Sequence, residues 1–285
     1  MVHRRLSLFT IINGTLFVLL ATAMLYPFWH TLMGSLMGHK EYMDKTLFLY
    51  PSRPSLAAYK LVLQVGLIQA PMRNTILITA VGSIYSLFVT AYSAYGLSKR
   101  IPGATLTMYL IVFTMFFHGG LIPSYIIYRK LGLINNVLVY ILPMTINSFN
   151  LIVMRTYFQG FAKEIEEAAV IDGCGQFGLF FRIVLPLSKP ILATIGLFFA
   201  VSYWNTFFAS LFFINDTEKR TLQDYLYRII RATDPEDLGM YNSEKVFIEA
   251  VKLANIILVV APIILLYPFL QKYFVKGIMI GAVKG

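Results

Sequence analysis

The chain has 285 residues, 58% of them hydrophobic and 13% charged, with a formal net charge of +10. A mean hydropathy of +0.68 means more apolar surface than a water-soluble core can bury, which excludes an ordinary soluble domain and points to a bilayer. The Lys and Arg residues are spread over loops and span ends with no basic stripe, so lipid headgroups are the expected partner and nucleic acid is not.

The apolar runs are continuous and not alternating, which predicts helices and not barrel strands. Arg4 and Arg5 precede a run from Leu8 to Met33 that is too long for a secretory leader and reads as an uncleaved first span. A polar segment follows from Gly34 to Pro71, where Pro51 and Pro54 force extended or turn backbone. Further spans are expected at Asn74 to Leu97, Thr105 to Tyr128, Asn136 to Tyr157, Ile191 to Ile214 and Leu253 to Tyr273. The fold class is therefore all-α, a polytopic membrane protein with six transmembrane helices. An even count places both termini on one side, with Lys272, Lys276 and Lys284 beside Arg4 and Arg5 in the cytoplasm. Pro143, Pro262 and Pro268 fall inside spans and predict kinks.

The longest polar interruption facing the same side as the termini is a hairpin between the fourth and fifth spans. From Phe161 to Asp172 it has good helix formers, with Glu164, Glu166 and Glu167 in the early turns, where the helix dipole favours acids. Gly173 then predicts a left-handed stop, and Gly175 adds freedom for a turn. A second helix from Gln176 places Phe177, Phe180, Phe181 and Val184 on one face, to be packed on the bundle. Pro186 and Pro190 are expected to stop it and turn the chain into the fifth span. Such a hairpin is a lever on which something soluble could push.

Catalytic and metal motifs are not found. The sequence has no G-x-x-x-x-G-K-[ST] phosphate loop, no H-E-x-x-H and no G-x-S-x-G; His3, His30, His39 and His118 are scattered; Cys174 stands alone. The chain is thus read as a non-enzyme whose energy source lies in another polypeptide or in an ion gradient.

The spacing Glu167-Ala168-Ala169, Gly173, Ile183-x-Leu185-Pro186 resembles the cytoplasmic signature loop of the permease subunits of bacterial ABC importers. Arg73-Asn74-Thr75, His118 to Pro123, Asn150 to Arg155, Trp204-Asn205 and Gly281 to Gly285 extend the likeness towards the carbohydrate-uptake branch, and within it the smaller permease of complex-oligosaccharide or alginate-type systems. Cys174 departs from a common alanine, another small residue. The resemblance implies an inner-membrane permease paired with a second, homologous permease, two ATP-binding subunits that hold the ATP and Mg, and an extracytoplasmic solute-binding protein. It implies residues 1–71 as a first span with an external segment and 72–285 as the permease core, with a coupling loop at 158–190. The ATPase contact is carried over to Glu167, Ala168, Ala169, Asp172, Gly173, Ile183, Leu185 and Pro186, and the tail Lys284 and Gly285 is expected to reach the ATPases.

A sugar path needs amides, hydroxyls and aromatic faces, and Asn147, Asn150, Tyr203, Trp204 and Asn205 supply them within the fourth and fifth spans. The alternative for each is that amides glue helices together and aromatic rings mark the headgroup belt. Thr221 to Arg231 forms an amphipathic helix on the outer side, suited equally to a binding protein or to the membrane surface. The rival function is a secondary transporter driven by protons or sodium, which calls for an intramembrane carboxylate that the spans do not clearly offer.

Overall fold

The computed structural model describes residues 8–99, 101–161, 163–234 and 247–282, with the backbone alone at 163–164 and 266–282. Among the described residues there is no strand. The helices in order are α1 (Leu8–Ser35), α2 (His39–Asp44), α3 (Ala57–Val65), α4 (Gln69–Ser98), α5 (Ala104–Phe116), α6 (Leu121–Lys130), α7 (Leu138–Ile141), α8 (Ser148–Gln159), α9 (Lys163–Ile171), α10 (Gln176–Leu179), α11 (Leu185–Leu187), α12 (Lys189–Trp204), α13 (Phe208–Phe213), α14 (Leu222–Arg231) and α15 (Ile248–Ala282).

Among the described residues, three helices are long and apolar enough to cross a bilayer unaided: α1, α4 and the Ile248–Leu265 part of α15. The other expected spans are broken. Thr105 to Tyr128 is not one helix but α5 and α6: α5 ends at an extended Phe117, and Gly120, at φ +84, precedes the first residue of α6. In the span expected at Asn136 to Tyr157, α7 runs into a 3-10 turn at Leu142–Met144 containing Pro143, and α8 restarts with a bend of 48°. Asn147 makes the restart possible, because its side chain accepts the Asn150 N–H and caps α8. Pro262 and Pro268 leave α15 unbroken.

The chain divides into two compact units, 1–68 with 226–262, and 69–225 with 263–285. In the first, α1 is anchored near its end, where Met33, Met37 and Phe48 form a small core and the His30 ring stacks on Phe48 at 4.2 Å. Trp29 Nε1 donates to Leu49 O at 2.9 Å, and Ser35 Oγ and Tyr59 Oη share a hydrogen bond of 2.7 Å. The extended segment that the prolines impose is fastened to α2 by Glu41, which meets Lys45 Nζ at 2.6 Å and accepts the Ser52 N–H. Lys45 and the Ser52 N–H together hold the Glu41 carboxyl down at about 2.

In the second unit α4 is the central post, with α12 and α8 packed along it. Its inward face is small: Thr75, Gly82, Ser86, Thr90, Ala91 and Ala94 are buried, so the neighbouring backbones come close. At Gly82 an added Cβ would lie 2.8 Å from the Tyr203 ring. The far end of this unit is tied by polar bonds. Asn74 Nδ2 donates to Glu218 O at 2.6 Å, and the Leu222 N–H donates to Thr75 Oγ1 at 2.8 Å. Asn135, in the left-handed region at φ 58, accepts the Asp216 N–H at 3.0 Å. The helix expected at Thr221 to Arg231 is present as α14, with Leu222 and Ile229 buried. Asp224, expected on its polar circumference, is instead fully buried, where Ser210 Oγ donates to it at 3.1 Å and Arg220 lies 3.6 Å away.

Candidate functional site at the elbow

The hairpin forms as two arms around Gly173. The first arm is α9, Lys163–Ile171, shorter than the expected Phe161 to Asp172. Its end is a Schellman closure: Gly173 takes φ +79, its N–H donates to Val170 O at 3.0 Å, and the Cys174 N–H donates to Ala169 O at 2.9 Å. Gly175 keeps an ordinary φ of −69, so the turn does not draw on its freedom.

The second arm departs from a regular helix. After α10 the chain makes a π turn at Phe180–Val184, and α11 follows, so Pro186 lies inside a helical turn and does not stop it. The break falls at Ser188, with an 83° bend before α12, and Pro190 occupies the first turn of α12, where its missing donor costs nothing. The π turn also changes which rings turn inward. Leu179, Phe180 and Val184 are buried, whereas Phe177 and Phe181, expected on the packed face, are exposed and lie against Tyr92 and Phe88 of α4 at 6.1 and 6.0 Å.

The signature residues sort into a surface and a foundation. Glu167, Ala168, Asp172, Gly173 and Pro186 are exposed, and they share the surface with Val170, Ile171 and Phe177. Ala169 is buried in the main core, and Ile183 and Leu185 pack partly buried against it. Beside the exposed face runs a mostly apolar groove of about 870 Å³, walled by Tyr92, Tyr95, Val170 and Phe177 with Glu167 at its edge. An exposed patch of apolar side chains with an acid beside it has a composition that protein-docking surfaces share. Lys284 and Gly285 lie outside the described residues.

Sequence reading missed what ties the elbow to α4. Lys99, one residue past α4, pairs with Glu166 of α9 and sits 4.3 Å from the Tyr95 ring centre. Arg155 of α8 donates through Nε to Leu97 O at 2.8 Å, covering a carbonyl at the same helix end. The only sequence signal was an acid and a base 67 positions apart, which nothing in a one-dimensional pattern pairs.

The proposed sugar-path residues do not form one group. Tyr203 is fully buried in the chain's own core; its hydroxyl bonds Ser86 Oγ at 2.7 Å and donates to Ile141 O at 3.2 Å, which is the helix-gluing alternative. Asn147 serves as a cap on α8, and Asn150 is buried one turn on. Trp204 ends α12, buried, its Nε1 without a partner among the described residues, and Asn205 is exposed with Nδ2 donating to Val201 O at 2.8 Å. Among the described residues no three His, Cys, Asp or Glu side chains gather as a metal site requires.

Residues 65–280 match the family described as binding-protein-dependent transport system inner membrane component. Protein LplC of Bacillus subtilis (strain 168) is 42% identical over 265 residues, covering 91% of this chain and 89% of that protein. The polygalacturonan/rhamnogalacturonan transport system permease protein YtcP of the same organism is 38% identical over 265 residues, covering 91% and 92%. A solved bacterial ABC transporter involved in the import of the acidic polysaccharide alginate superposes with a TM-score of 0.89 at 34% identity, over 96% of this chain and 99% of that one. None of these likenesses lends support to an ion-driven carrier. Span pattern, helix-glycine-helix elbow and relatives agree that the chain belongs to the inner membrane component family of binding-protein-dependent transport systems and is a multi-pass permease of an ABC importer for sugars or oligosaccharides.

Proposed function

We propose that this permease carries an acidic oligosaccharide, a uronate fragment of a larger polymer, into a bacterial cytoplasm, driven through its elbow by separate ATP-hydrolysing subunits. The observation that carries the coupling half is the exposed row of Glu167, Ala168, Asp172 and Gly173 standing on a buried foundation of Ala169, Leu179 and Phe180. A surface built that way can be pushed without being deformed, and the push reaches α12 through the 83° bend. In this reading the elbow and both termini face the cytoplasm, residues 72–285 form the permease core with its coupling loop at 158–190, and residues 1–71 add a first span and an outer segment. A second, homologous permease completes the passage, a solute-binding protein delivers the sugar outside, and ATP and Mg are held by the partner ATPases. The Lys284–Gly285 tail reaches towards those ATPases.

The substrate half draws on the relatives. Polygalacturonan and alginate, the polymers of two of these relatives, are both built of uronates. The formal net charge of +10 and the exposed Arg228 and Arg231 of α14 suit an anionic cargo. Trp204, with its unpartnered Nε1, and Asn205 remain the residues proposed to meet the sugar. The test is uptake by the complete importer in liposomes, given acidic and neutral oligosaccharides of equal length. Preference for the acidic one is expected, and loss of the ATPase subunits on Glu167→Lys with the permease still folded. Preferential uptake of the neutral sugar contradicts the substrate reading, and retained ATPases contradict the coupling reading.

A further inference from the structure

We infer that Lys99 and Glu166 form a positioning latch through which the elbow moves α4 as well as α12. The inference rests on the proposed docking of the ATPase at Glu167. The pair joins two elements with no other side-chain ion pair between them among the described residues: Glu166 on α9 and Lys99 just past the end of α4. Both side chains are largely shielded, with 30% and 18% of their surface exposed, so the pair is less screened than a surface bridge. The Lys99 ammonium also rests 4.3 Å from the centre of the Tyr95 ring, which fixes it on α4 before it reaches α9.

The surroundings make this pair the strut of the elbow. Two hollows, of about 870 Å³ and about 390 Å³, adjoin the pair, and Lys99, Glu166 and Glu167 line both. Beside the packing of buried Ala169, it is this ion pair that fastens α9 to the end of α4. The other arm grips α4 differently, through Tyr92 against Phe180 at 5.4 Å and Tyr95 against Phe180 at 5.3 Å. A displacement of Glu167 is therefore handed by its sequence neighbour Glu166 to Lys99, and so to the helix that lies at the centre of the unit. Glu166 lies outside the signature spacing, and its role follows from contact alone.

The test uses the complete importer in liposomes, with sugar uptake and ATP hydrolysis measured on the same preparation. Lys99→Met and Glu166→Gln should retain the ATPase subunits yet move about fivefold less sugar per ATP. The reversed pair, Lys99→Glu with Glu166→Lys, should restore most of that ratio, a rescue that a merely structural defect would not show. Unchanged sugar per ATP in the single variants overturns the latch, as does failure of the reversed pair to recover. Glu167→Lys runs in parallel: if that variant keeps its ATPase subunits, the docking reading fails and takes the latch with it, whereas a latch failure alone leaves docking intact.

Discussion

Gly173 closes the first arm of the elbow in the left-handed region. Its φ of +79 lies where a Cβ meets the following carbonyl, and no neighbouring atom within 4 Å would otherwise oppose a side chain there. The cost of Gly173→Ala is thus conformational, about 1–2 kcal/mol. Gly175, at φ −69 and with open space around it, has no such demand. Thermal unfolding of the two variants in detergent should separate them: Gly173→Ala lowers the midpoint, and Gly175→Ala leaves it or raises it slightly. Equal shifts would mean that the left-handed closure is not what holds the turn. Gly82 answers to a different constraint, since the Tyr203 ring occupies the place of its missing side chain.

At the scale of elements, the structure rewards breaks as much as helices. The fifth span ends at Trp204, α13 follows a three-residue interruption, and the interruption is held because Thr221 Oγ1 donates to Thr206 O at 2.8 Å. Hydropathy located the apolar stretches, because burial in lipid depends on composition. It could not locate the stops at Thr145 to Asn147 or Asn205 to Phe207, because those depend on caps and on distant hydroxyls. Gly173 was legible, since a glycine after a helical run has few other uses, and so was Pro190 at a helix start. The π turn was not, because a shift from four to five residues per hydrogen bond leaves no compositional mark. The surroundings of Tyr203 were hidden for a related reason: Ser86 and Ile141, which its hydroxyl joins, lie on other helices.

The fastening of α2 makes a prediction at this same scale. Lys45 and the Ser52 N–H hold the Glu41 carboxyl near 2 against an ordinary 4.5, so it is the charged form that binds them. Because the folded value is the lower, this contribution is complete above the ordinary value and is lost as the pH falls through about 2. Hydrogen exchange at the Ser52 amide should be faster in Glu41→Gln than in the unaltered protein near neutral pH. The difference should narrow as the solution is acidified towards 2. Identical exchange near neutrality would show that the carboxylate does not hold this segment.

For the whole molecule, the bilayer and the partners decide which surfaces count as exposed. The apolar window of α1 has none of its residues buried within the chain, and α5 presents Leu106, Tyr109 and Phe116 outward. Lipid and a second permease are the natural cover for such faces. The elbow differs, because its exposed side chains mix acids with Val170, Ile171 and Phe177 on a polar hairpin, which lipid does not favour. Two kinds of uncovered surface in one chain therefore call for two kinds of partner, one within the membrane and one in water.

If the elbow faces the cytoplasm and meets an ATPase there, one residue on it can report both. A cysteine placed at exposed Ala168, in a Cys174→Ser background, reads both parts at once in the assembled importer in cells. Ala168→Cys should cross-link to the ATP-binding subunit and be shielded from a membrane-impermeant thiol reagent added outside, as a cytoplasmic docking site requires. Labelling by that reagent from outside, with no cross-link to the ATPase, would contradict it.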